Sequence, residues 1–116
     1  CYLRDIYPTV CELAHVPVPT GIDGRSLVPV LGGEERAVHP FVVGYFRDVQ
    51  RMIRTERWKL ICYPQAGSVQ LFDLANDPQE IDDLADDPKH QATIAELRAR
   101  LKAWQKGHAD RLVLPP

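Results

Sequence analysis

The stretch VQRMIRTERWKLICYPQAGSVQLFD, residues 49–73, decides the fold. It holds three short runs rich in β-branched and aromatic residues, VQRMIRT (49–55), WKLICY (58–63) and VQLFD (69–73), each read as a strand. In the first, Val49, Arg51, Ile53 and Thr55 point one way while Gln50, Met52 and Arg54 point the other. Glu56-Arg57 closes a tight hairpin into the second run, and PQAGS (64–68) closes the next. A parallel crossover needs about a dozen residues, so connections this short make neighbouring strands antiparallel. Immediately upstream, FVVGYF (41–46) adds a fourth run. The spacing predicts a four-stranded antiparallel sheet.

Downstream of the sheet, an amphipathic helix follows. Asp87 suits its N-cap, Pro88 its first position, and Gly107 the position just past its end. Ile94, Leu97, Leu101 and Trp104 recur at three- and four-residue spacing and form one apolar stripe to pack on the sheet. Glu96 and Arg100 are placed to pair across one turn on the solvated side. The tail LVLPP (112–116) offers no inferred partner. Between sheet and helix lies an acidic stretch, residues 70–88, QLFDLANDPQEIDDLADDP. It does not fit a calcium loop of the EF-hand kind, because counting from Asp73 places Pro78 where that loop needs glycine. Asn76-Asp77-Pro78 reads as a turn and Asp86-Asp87-Pro88 as a helix start, so the stretch is scaffolding.

Upstream, DIYPTVCELAHV (5–16) reads as a helix capped by Asp5, with Ile6, Val10, Leu13 and Ala14 on one face. VPVPTGIDG breaks it, and RSLVPVLGG (25–33) reads as a short apolar turn ending in glycines. The apolar face of this helix has few partners in the chain. It is expected to pack on a neighbouring chain or to stay mobile, giving a route to an oligomer through helix 5–16. The architecture predicted from residues alone is α+β: an N-terminal helix and loop, then an antiparallel sheet packed by a C-terminal amphipathic helix.

With 116 residues, the chain has the size of one domain. A net charge of -2 gives no electrostatic case for binding nucleic acid or an anionic membrane surface. No apolar run is long enough to span a bilayer, and no signal-peptide pattern opens the chain. Cys1 followed by Tyr2-Leu3-Arg4 reads like the interior of a longer polypeptide. Cys1, Cys11 and Cys62 form no CxxC pair and are read as free thiols rather than a zinc site or disulfide framework.

Residues able to do chemistry are scattered. Ser26 and Ser68 lie outside any GxSxG phrase. His15, His39, His90 and His108 have no partner at helical ligand spacing and are read as surface or capping residues. Gly32-Gly33 is too short to cradle phosphate and precedes Glu34-Glu35, which would repel it. No nucleophile, base and oxyanion donor fall together, so neither catalytic nor metal-ligating residues are assigned. Tyr45, Arg47, Asp48 and Arg51 remain as candidate substrate-binding residues, because a strand–strand corner can present arginine's planar fork to a sulfate or phosphate.

Several phrases then occur together and in order: DIYPTVCELAHVPVP, GIDGRSLVPVLGG, RMIRTERWKLICYP and QLFDLANDPQEIDDLADDP, followed by the closing helix. Over roughly residues 3–106 the chain resembles the C-terminal part of the type I sulfatases, in the alkaline-phosphatase-like superfamily. Asp23-Gly24-Arg25-Ser26-Leu27, Arg57-Trp58-Lys59-Leu60, and Leu71-Phe72-Asp73-Leu74 with Asp77-Pro78-Gln79-Glu80 carry the likeness. Where the family usually has Asn-Leu after the acidic phrase, this chain has Asp83-Leu84.

The resemblance implies a two-lobed parent that hydrolyses sulfate esters. Residues 1–40 correspond to the last helix and connector of its large α/β domain, and residues 41–116 to the smaller C-terminal subdomain. It also implies calcium and a formylglycine, made from the Cys or Ser of a Cys/Ser-X-Pro-X-Arg motif, in the N-terminal catalytic domain. That domain would be this chain's partner, and a sulfated small molecule or glycan the parent's ligand. None of Cys1, Cys11 or Cys62 stands in that motif, so no cofactor is assigned here and the chain alone is expected to be inactive. Secretory routes are common among such parents, which favours a periplasmic or extracellular setting. The competing readings are a stand-alone α+β interaction module and the equivalent lobe of a phosphate or phosphonate ester hydrolase.

Overall fold

The computed structural model describes residues 1–115. Short 3-10 turns at Leu3–Asp5 and Pro88–His90 introduce the helices α1 (Ile6–Leu13) and α3 (Gln91–Gly107). Helix α2 (Val28–Leu31) and strands β1 (Val42–Phe46), β2 (Gln50–Arg54), β3 (Trp58–Tyr63) and β4 (Ser68–Asp73) lie between them. The chain divides into two compact units, Cys1–Val42 and a second from Val43 onward.

The second unit is the α+β fold that the alternation predicts. Its strands run in the order β1-β2-β3-β4, and the two hairpins of residues 50–73 pair antiparallel. The register aligns Ile53 with Leu60 and Leu60 with Leu71, three side chains fully shielded from solvent. Helix α3 lies against β2 and β3 and buries Ile94, Leu97 and Leu101. The fourth position of that stripe differs from expectation. Trp104 is half-buried, and the buried neighbour is Gln105, whose amide donates to Asp110 Oδ2 at 3.0 Å and to the Leu112 carbonyl at 2.9 Å. These bonds satisfy the polar group that burial would otherwise leave costly. They also give the tail its missing partner, for Leu114 is buried while Val113 is exposed.

The helix ends differently from its glycine signal too. Gly107 is still helical, and the left-handed residue is Ala109, at φ 54°. Asp110 N–H then donates to Gln105 O at 3.0 Å, the six-to-one bond of a Schellman cap, which satisfies a terminal carbonyl. At the other end, Asp87 Oδ1 accepts from Lys89 N–H at 2.9 Å, so Asp87 caps as its position suggests. The Glu96–Arg100 pair also forms, at 2.7 Å.

The acidic stretch is a strap of carboxylate-to-backbone bonds. Asp77 Oδ2 accepts from Ile81 and Asp82 N–H at 2.7 and 2.9 Å. Asp83 Oδ1 accepts from Leu71 and Ala85 N–H, both at 3.0 Å, and Leu84 N–H donates to Leu71 O at 2.8 Å. Both contacts of Asp83 use one oxygen as an acceptor. An amide carbonyl could do the same work, so Asp83 serves in the place where the resemblance leads one to expect Asn.

The familiar phrases around Arg57 and Asp73 are held together by one bidentate pair. Arg57 Nε reaches Asp73 Oδ1 at 3.0 Å and Nη2 reaches Oδ2 at 2.7 Å, while Leu74 N–H donates to Arg57 O at 2.7 Å. The next turn adds an ion pair between Lys59 and Glu80. The Arg57 hydrogen bond, opposed by burial and aided by Asn76, brings the Asp73 carboxyl down to about 2 from an ordinary 3.8. Because the folded value lies below the unfolded one, this contribution is complete above pH 3.8 and disappears as pH falls through about 2. Urea unfolding of the parent and of Asp73→Asn across that window is therefore expected to show a shallower acid loss in the variant. Equal slopes would show that Asp73 carries none of the acid sensitivity.

The first unit is built on a carboxylate. Asp5 does not cap α1 through its side chain, contrary to its N-terminal position; it is fully buried and joins segments distant in sequence. Its oxygens accept from Tyr2 N–H at 2.6 Å and Arg25 N–H at 3.0 Å, and His39 Nε2 lies 2.9 Å away. One turn on, Thr9 Oγ1 donates to Asp5 O at 2.6 Å and accepts from Leu27 N–H at 2.9 Å. Arg25 extends the arrangement by donating to Val38 O. Segment 25–33, expected as a turn, contains the single helical turn α2. The expected helix 5–16 is shorter, ending at Leu13, where His15 turns left-handed and Val16 N–H returns to Cys11 O.

Helix α1 turns Pro8, Thr9 and Cys11 inward, next to the buried Asp5 that precedes it. Ile6, Val10 and Leu13 are 46%, 56% and 60% exposed. Cys11 and Cys62 are buried free thiols, and Cys1 is an exposed one.

Candidate functional site

The β1–β2 hairpin positions all four candidate residues. Tyr45 and Phe46 end β1 with exposed rings, and Val49 N–H closes the turn on Phe46 O at 3.1 Å. Arg47, at the first position of the turn, is left-handed at φ 47°. For a non-glycine residue this conformation is strained and persists where neighbouring groups fix it. Its exposed guanidinium carbon lies 5.4 Å from the Phe46 ring centroid. Asp48 accepts from Gln65 Nε2 at 3.0 Å, tying the turn to the β3–β4 loop.

Arg51 is different. It lies on the inward face with Ile53, and only 7% of it is exposed. Nε and Nη2 grip Asp110 at 2.7 and 3.0 Å, while Nη1 donates to Arg47 O at 2.6 Å and Gln50 O at 2.8 Å. Four of its five N–H groups are thus used inside the chain, which leaves little to offer a ligand. A buried guanidinium must be paired, and Arg51 is paired inside the chain on both of its edges. The bond to Asp110 raises the Arg51 pKa against the opposing effect of burial, and the same bond holds Asp110 well below the usual carboxylate range.

The structure brings Tyr45 and Arg51 together, with the guanidinium carbon 5.5 Å from the ring centroid. Tyr45 also lies 6.4 Å from Trp104, which stacks on His108 at 4.1 Å. The result is an aromatic and cationic corner with a carboxylate, suited to contacting an anionic ring compound rather than to breaking a bond. Two supporting residues, Asp110 and Gln105, escaped sequence reasoning. Asp110 is 59 positions from Arg51, and the only sequence signal was Arg51 sharing a strand face with Ile53.

Other titratable groups do not add a reaction centre. His39 is paired with Asp5, not merely at the surface. Burial pushes the Cys62 thiol up, against Arg98 and Lys102, and so disfavours the thiolate. Among the described residues no three His, Cys, Asp or Glu side chains converge to hold a metal ion. The residues present do not fit calcium or a formylglycine precursor.

The chain is similar to known proteins along nearly its whole length. A family described as N-sulphoglucosamine sulphohydrolase, C-terminal, matches residues 3–107. A delta 4,5-hexuronate-2-O-sulfatase of Bacteroides thetaiotaomicron is 39% identical over 105 residues, covering 84% of this chain and 22% of that protein. Human arylsulfatase K is 34% identical over 97 residues, covering 72% of this chain and 18% of its own length. Among solved structures, a 2-O GAG sulfatase superposes with a TM-score of 0.77 at 36% identity, covering 95% of this chain and 26% of that one. The chain thus spans about a fifth of the curated relatives it matches. With its four-stranded sheet, its terminal helix and the matched residues all in agreement, the chain belongs to the N-sulphoglucosamine sulphohydrolase C-terminal family.

Proposed function

We propose that this chain is the C-terminal part of an enzyme that hydrolyses sulfate esters on a glycosaminoglycan-type saccharide, and that its β1–β2 hairpin forms part of the substrate-pocket rim. The carrying observation is the 39% identity to a hexuronate 2-O-sulfatase over 105 residues. On this reading residues 1–40 are the last helix and connector of the large α/β domain, and residues 41–116 the smaller lobe. The division of the chain near Val42 supports that assignment. So does the exposed apolar face of Ile6, Val10 and Leu13, which suits burial against the N-terminal catalytic domain.

Calcium and the formylglycine belong to that domain, since the residues here do not fit them. The work left to this chain is binding and orientation. Arg47 offers a planar pair of donors to a sulfate or carboxylate, Tyr45 a flat apolar face to a sugar ring, and Asp48 an acceptor to a hydroxyl. In the full-length protein, release of sulfate from a sulfated disaccharide is expected, and Arg47→Ala should raise KM about tenfold or more with kcat retained. Release of phosphate from the matching phosphate ester, with no release of sulfate, would overturn the activity. An unchanged KM would remove the hairpin from the rim.

A further inference from the structure

The segment following α3 is held by a cluster of bonds centred on Asp110. Asp110 receives two bonds from Arg51, one from Gln105 Nε2 and one from Leu112 N–H at 3.2 Å. The chain also accepts a left-handed Ala109 to deliver Asp110 to this place, although Gly107 stands two residues earlier. What the arrangement secures is visible on the other side of Arg51. Its Nη1 donates to the carbonyls of Arg47 and Gln50, at either end of the turn. Arg47 is the residue whose left-handed backbone needs fixing from outside.

We propose that Asp110 is a positioning residue for the substrate rim: through Arg51 it clamps the Arg47 and Gln50 carbonyls, fixes the hairpin apex, and so aims the Arg47 guanidinium at an anionic group of the saccharide. This deepens the proposed function and rests on Arg47 being a rim residue. Asp110 touches no substrate. It acts by holding Arg51 in one orientation, since a guanidinium gripped on its Nε edge leaves Nη1 directed at the turn. Without the carboxylate, Arg51 is a buried cation with an unpaired edge, which reorients toward water and releases both carbonyls. The apex then samples relaxed conformations in which Arg47 points elsewhere, and binding weakens because the donor must be ordered again at each encounter.

The test uses the full-length enzyme with a sulfated disaccharide. Asp110→Asn, which keeps the shape and removes the charge, is expected to raise KM about tenfold while kcat is retained, matching Arg47→Ala. Arg51→Lys keeps a cation for Asp110 but lacks the fork that reaches both carbonyls, and is expected to give the same shift. The double variant Arg47→Ala/Asp110→Asn should be no worse than Arg47→Ala alone, because both changes remove one interaction. If Arg47→Ala raises KM while Asp110→Asn and Arg51→Lys do not, the clamp is overturned and the rim reading stands. Additive effects in the double variant overturn the clamp in the same way. If Arg47→Ala leaves KM unchanged, the rim reading falls and the clamp with it.

Discussion

Replacing Gly24 with alanine is expected to unfold the first unit. A Cβ at this position would lie 2.1 Å from the Arg4 carbonyl oxygen and 2.8 Å from its carbon, both backbone atoms, with Pro8 Cγ at 3.2 Å. No side-chain rotation relieves such an overlap, so the loop must retreat from the start of α1. It carries with it Arg25 N–H, bonded to Asp5, and Leu27 N–H, bonded to Thr9. The cost should be about 3 kcal/mol or more, at the upper end of overpacking effects. Gly32→Ala is the internal control. It has ordinary negative φ, and its nearest prospective contact is at 3.4 Å. Thermal unfolding of the two variants should show a large drop for Gly24→Ala and little for Gly32→Ala; equal drops would mean that any methyl in this unit is harmful and the close approach is irrelevant.

The second large effect is expected at Asp5. Burial by itself pushes this carboxyl up, but the Arg25 and Tyr2 N–H groups and His39 outweigh it and hold the group below its ordinary value. Asp5→Ala strands these donors beneath the surface at about 1–3 kcal/mol each, so a loss of at least ~3 kcal/mol is expected. Asp5→Asn should recover part of the loss, because its one acceptor oxygen serves one donor while its NH₂ opposes another. Urea midpoints measure the series. A midpoint for Asp5→Ala within the roughly 0.5 kcal/mol typical of surface changes would show that the carboxylate organises nothing.

Local periodicity made the second unit readable. Strand alternation in residues 49–73 placed Arg51 and Ile53 on one face, and each predicted strand lies within about a residue of its observed ends. The spacing of Ile94, Leu97 and Leu101 likewise found the helix. What stayed hidden depends on pairs remote in sequence. Asp5 looked like a cap because two of the three partners of its carboxylate, Arg25 and His39, are 20 and 34 residues away. Gly107 looked like the terminator because the glycine rule is local, whereas the left-handed residue is Ala109, next to the Asp110 that Arg51 grips from 59 positions away. Around the candidate residues, the turn between β1 and β2 was legible from the strand pattern on either side of Arg47-Asp48. The burial of Arg51 was implied by its sharing a face with Ile53, but its carboxylate partner was not.

The strap across β4 also bears on self-association. At Leu71 the outward amide is taken by Asp83 and the outward carbonyl by Leu84, and at Asp73 the carbonyl serves Asn76 and Asp77. A strand donated by a second polypeptide finds these outward groups of Leu71 and Asp73 already engaged. Growth of a ladder from molecule to molecule, by a docking peptide or by the seed of a fibril, is thereby opposed at these two positions of β4.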